Sequence, residues 1–68
     1  MSIGRVAAFD PFRGLGTIAG ADGHDWPFHC VEILDGSRSI EVGAAVEFER
    51  LAKLGRLEAS RIRPAASV

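Results

Sequence analysis

Between Gly4 and Cys30, three short apolar runs are separated only by tight turn signals, and such spacing favours short antiparallel strands. Arg5-Val6-Ala7-Ala8-Phe9 has the density of a short strand, with Met1 to Ile3 as a lead-in. Asp10-Pro11-Phe12-Arg13-Gly14 reads as a turn: Asp opens it, Pro presets φ, and Gly takes the dihedrals that remain. Gly16-Thr17-Ile18-Ala19 is the second strand, its glycine permitting close backbone approach. Asp22-Gly23 signals a two-residue hairpin turn. Trp26-Pro27-Phe28-His29 then alternates in the period-two pattern of a half-buried strand. Pro27 has no N–H, so it belongs at an edge or a bulge.

A chain of 68 residues is one small domain near the lower limit for an unaided hydrophobic core. Its 47% apolar content is enough to bury one and excludes a disordered charged tail. A formal charge of −1 supplies no overall field for polyanions or anionic membranes, so binding to either must rest on local patches. The single cysteine excludes an internal disulfide and a four-cysteine metal site, which fits a reducing compartment. No apolar run is long enough to span a bilayer, and the expectation is a soluble cytoplasmic protein.

After Cys30 the pattern loosens. Val31-Glu32-Ile33-Leu34 reads as one turn of helix closed by an Asp35-Gly36-Ser37 loop, and Ile40 to Gly43 leads into another element. The last third is in conflict with itself. Phe48, Leu51, Ala52, Gly55, Ala59 and Ile62 fall at helical spacing, in residues of good helix propensity. Ala44-Val46-Phe48 instead alternates with Ala45, Glu47 and Glu49 as a strand does. Pattern alone favours the helix.

Gly4-Arg5-Val6-Ala7-Ala8-Phe9-Asp10 resembles the opening G-T-V-K-W-F-N of the bacterial cold-shock domain. Arg13 to Ile18 is similar to its first ribonucleoprotein motif, K-G-F-G-F-I. Phe28-His29 is similar to the end of the second, V-F-V-H, with Ile33 at the spacing of the isoleucine that follows. Gly43, Val46 and Phe48 match the later G-x-x-V-x-F, and Gly55, Ala59 and Ile62 overlay the closing strand. The resemblance spans Gly4 to about Pro64, so a single domain over 1–64 with a tail over 65–68 is expected.

What the resemblance implies is an all-β, five-stranded antiparallel barrel of the oligonucleotide-binding (OB) type, with a short helical turn after the third strand. It replaces the helix over Phe48–Ile62 by two strands joined by a Leu51–Gly55 loop. Val6, Ile18, Trp26, Phe28, Val46, Phe48 and Ile62 become core, while Leu15, Thr17, Pro27 and His29 point outward. The outward face is where cold-shock domains stack single-stranded bases on aromatic rings. Here the expected tryptophan is Ala8, and the lysine before it is Ala7. The two phenylalanines of the first motif are Leu15 and Thr17, the surface phenylalanine of the second is Pro27, and the one after its histidine is Cys30. Each ring is worth roughly 1–3 kcal/mol per base, so weak or altered binding follows.

The expected nucleic-acid-binding residues are Phe9, Arg13, Leu15, Thr17, His29 and Arg56. Among the basic residues of the last third, Arg50, Lys53, Arg56, Arg61 and Arg63, a solvated face salted with Glu47, Glu49 and Glu58 competes with phosphate contact. Cys30 and His29, with His24, Asp22 and Asp25 nearby, match no closed zinc spacing. Adjacent His-Cys side chains diverge on a strand, against a nucleophile–base pair. Gly14 and Gly16 suit tight strand packing better than a phosphate cradle. No cofactor, metal or enzymatic activity is expected. The partner is single-stranded RNA or DNA. The alternative, with Ala8, Leu15, Pro27 and Cys30 in place of rings, is a mildly apolar face for another protein or a second copy.

Overall fold

The computed structural model describes residues 2–34, 36, 39–53 and 55–65, with the side chain of residue 53 excluded. Asp35 and Ser37 of the expected loop, Leu54, and 66–68 of the expected tail lie outside the described residues. The chain forms β1 (Ser2–Asp10), β2 (Leu15–Gly20), β3 (Asp25–His29), a 3-10 turn η1 (Cys30–Glu32), β4 (Ala45–Lys53) and β5 (Arg56–Pro64). They make one antiparallel sheet in the order β3-β2-β1-β4-β5. The sheet curls so that β3 and β5 touch, but among the described residues no ladder joins them. The link near this seam is a parallel bridge, Ile33↔Ile62, with Leu34 N–H donating to the Ile62 carbonyl at 2.9 Å. Among the described residues no helix is long and apolar enough to cross a membrane.

Val6, Ile18, Trp26, Phe28, Val46, Phe48 and Ile62 are all buried, joined by Ile33 and Ala59. Their period-two placement is what puts them on one face of a curled sheet. The Trp26 and Phe48 rings meet at 5.8 Å in a tilted arrangement. Pro27 sits on β3, an edge of the sheet, where no donor is missed.

Several boundaries differ from expectation. Ser2 and Ile3 are no lead-in: they pair with Phe48 and Glu47 of β4. Leu51, Ala52 and Lys53 belong to β4 rather than to a loop, paired with Glu58, Leu57 and Arg56, so the connection shrinks to residues 54 and 55. Cross-strand pairing extends the hairpin into residues that the resemblance assigns to the loop. The Asp22-Gly23 turn is a three-residue loop, because Gly20 N–H bonds the His24 carbonyl and Gly23 N–H bonds the Gly20 carbonyl. Gly23 at φ +86° supplies the left-handed position that such a loop needs. The helical turn begins one residue early, at Cys30.

Two bulges set the outward face and the seam. Ala7 is an extra residue between the pairs Val6↔Ile18 and Ala8↔Thr17. It inverts the parity of the rest of β1, sending Ala8 outward beside Thr17 and placing Phe9 opposite Gly16. In β5, Arg61 and Ile62 together oppose Phe48, and Arg61 carries φ +50°.

Candidate functional site

The site is built on β2 and β3, whose register sets Leu15 opposite His29 and Thr17 opposite Pro27. Leu15, Pro27 and His29 are exposed, and Thr17 is half-buried rather than fully outward. The turn from β1 to β2 closes one end. Asp10 Oδ1 accepts from the N–H groups of Phe12 and Arg13 at 3.0 and 3.3 Å, and Gly14 N–H donates to the Asp10 carbonyl at 2.8 Å. Gly14 holds φ +67°, and its carbonyl receives the Cys30 N–H at 2.7 Å, tying the turn to the end of β3.

Beneath this face Phe9 and Phe28 lie parallel, 6.0 Å apart with an interplanar angle of 3°. Gly16 makes this stack possible, since a Cβ there would overlap the Phe28 ring and lie 2.8 Å from the Ala8 carbonyl oxygen. Phe9 therefore packs against the core edge and stays half-buried.

All six residues singled out from sequence, Phe9, Arg13, Leu15, Thr17, His29 and Arg56, line one open groove of about 800 Å³. Arg56 reaches it from the start of β5 across the seam with β3. Sequence reasoning did not single out Asp10, Val31 and Glu58, which also line it. Glu58 had a usable signal, being two residues from Arg56 and so on the same side of a strand. Among the described residues neither Arg13 nor Arg56 makes an ion pair. The other described arginines of the last third go elsewhere. Arg63 bridges Glu47 and Glu49 at 3.4 and 3.2 Å, Arg50 lies 5.9 Å over the Trp26 ring, and Arg61 is exposed at the bulge.

His29 has a structural duty as well. Its Nδ1 accepts the Val31 N–H at 3.3 Å and so caps η1. A neutral ring then carries its proton on Nε2, leaving a donor on the outer side. His24 and Cys30 sit beyond opposite ends of β3, so the residues considered for a metal are split. Asp22 is itself engaged by the His24 N–H at 3.0 Å and the Trp26 indole at 3.3 Å. The His24 backbone donor draws its carboxyl below the ordinary value against the opposing effect of burial, and the Trp26 indole adds a smaller lowering.

Chemically, the groove offers an apolar floor, two guanidinium groups and one imidazole, opposed by two carboxylates. No family model matches this chain, and a comparison with curated proteins returns no relative.

Proposed function

We propose that this protein is a cold-shock-like OB-fold protein that binds single-stranded RNA or DNA weakly, in the groove between the β1–β2 turn, β2, β3 and the start of β5. One observation carries the reading: five residues picked from motif positions, and Arg56 from the basic last third, lie along one groove. The strand order and the contact of β5 with β3 support a rolled five-strand sheet of the OB type. Arg13 and Arg56, unpaired at the rim among the described residues, suit phosphates. The Phe9–Phe28 stack and His29 suit a base or sugar face. Asp10 and Glu58 offset the arginines, so affinity is modest.

The test is a titration with RNA and DNA hexamers at two salt concentrations, followed by backbone amide shifts. Movement confined to Phe9–Thr17, His29 and Arg56, and weakened by Arg13→Glu and by His29→Ala, is expected. Absence of any change there at high micromolar ligand removes the proposal.

A second reading has its own observation. Leu15 and Val31 are 43% and 58% exposed on the groove, an apolar surface that suits a protein partner or a second copy. It predicts concentration-dependent association abolished by Leu15→Asp, and a strict monomer at millimolar concentration with no captured partner counts against it.

A further inference from the structure

Phe12 packs against no part of the core. Its residue is 99% exposed, and a phenylalanine held in water forfeits the burial that would repay its presence. Yet its backbone is tied down. Pro11 precedes it, its own N–H donates to Asp10 Oδ1, and the Gly14–Asp10 bond closes the turn around it. The neighbours on this turn, Asp10 and Arg13, both line the groove. Phe12 thus carries a bare ring on a hydrogen-bonded turn just outside the groove lining, its Cα about 3.8 Å from that of a groove arginine.

Within the groove the supply of ring surface is small. Phe28 is buried, and Phe9 is half-buried against the core. Arg13 beside Phe12 supplies the positive charge that a phosphate linking two bases requires, whereas an apolar protein segment would gain nothing from it. We propose that Phe12 is a base-stacking platform at the end of this surface, receiving an unstacked nucleobase whose phosphate is held by Arg13. The assignment rests on the reading of the groove as a single-strand site, and it makes the β1–β2 turn part of that site.

The experiment measures hexathymidylate affinity for the wild type, Phe12→Ala and Phe12→Trp. Amide spectra and melting curves check that the fold is unchanged, as expected for a ring this exposed. The expected result is a loss of about five- to a hundred-fold for Phe12→Ala. Phe12→Trp retains affinity, and its added fluorescence is quenched on binding; the native Trp26 is buried and serves as an unresponsive background. Wild-type binding with Phe12→Ala unaffected overturns the role of Phe12 and leaves the groove standing. No wild-type binding overturns both. Self-association abolished by Phe12→Ala, with hexathymidylate affinity unchanged, gives the ring to a protein partner and also overturns the proposal.

Discussion

Single side chains in this protein are constrained by what their neighbours leave open. Gly16 is the clearest case: its missing Cβ is the space that the Phe28 ring fills to stack on Phe9. Gly16→Ala is expected to destabilise by about 1–3 kcal/mol, the range for overpacking, and to displace the Phe9 and Phe28 ring signals. A denaturant titration with aromatic NMR checks this, and a neutral variant with unmoved rings contradicts it. Asp22 is a second case. Its native carboxyl holds a proton less tightly than the ordinary value near 3.8, chiefly because of the His24 N–H. Its stabilisation is therefore complete above the unfolded value and is lost as pH falls through the lower native one. Acidification below about pH 4 should loosen the β2–β3 loop, seen as a shift of the Trp26 indole proton. Asp22→Asn keeps an acceptor oxygen but cannot titrate, so the acid response of that proton should vanish; an undiminished response refutes the link.

The elements are shaped by two irregularities. The extra residue in β1 flips parity, so a strand that begins with Val6 inward can present Ala8 outward and lay Phe9 over Phe28. The bulge in β5 keeps Ile62 in the core while Arg61 takes φ +50°. A left-handed backbone penalises β-branched residues most, and the Arg61 residue is exposed, so this position separates backbone cost from packing. Arg61→Val should cost about 1–2 kcal/mol and Arg61→Asn much less. Equal stabilities in urea unfolding would show that the bulge relaxes at no cost.

At the scale of the whole molecule, charge is arranged locally rather than as a field. The net charge of −1 and the pairing of Arg63 with Glu47 and Glu49 leave Arg13 and Arg56 as the groove's cations. If both meet phosphates, log Kd should vary with log salt with a slope of magnitude about 1.4, at roughly 0.7 per contact on a single strand. Arg13→Ala should halve it. A steep slope, several times larger, would place the interface on another face. A domain of this size has a total stability of only about 3–10 kcal/mol, so every binding variant needs a parallel melting curve.

What the chain declares by itself is parity. Alternation within Trp26–His29 and Ala44–Phe48 turns Trp26, Phe28, Val46 and Phe48 inward and Pro27 and His29 outward, whereas Val6, Ile18 and Ile62 as core and Leu15 as outward were implied by the resemblance to cold-shock domains. The choice between helix and paired strands over Phe48–Ile62 was not legible from periodicity, because Ala, Leu and Glu satisfy both patterns and only pairing of Arg50 with Ala59 and Leu51 with Glu58 separates them. Tertiary structure alone decided the rest. It brought Arg56 to the groove, left the β3–β5 seam without a ladder, buried Ile33 beside Ile62, and stacked Phe9 on Phe28. Each of these depends on which distant strand lies alongside, and side-chain alternation is a local property that carries no information about distant partners.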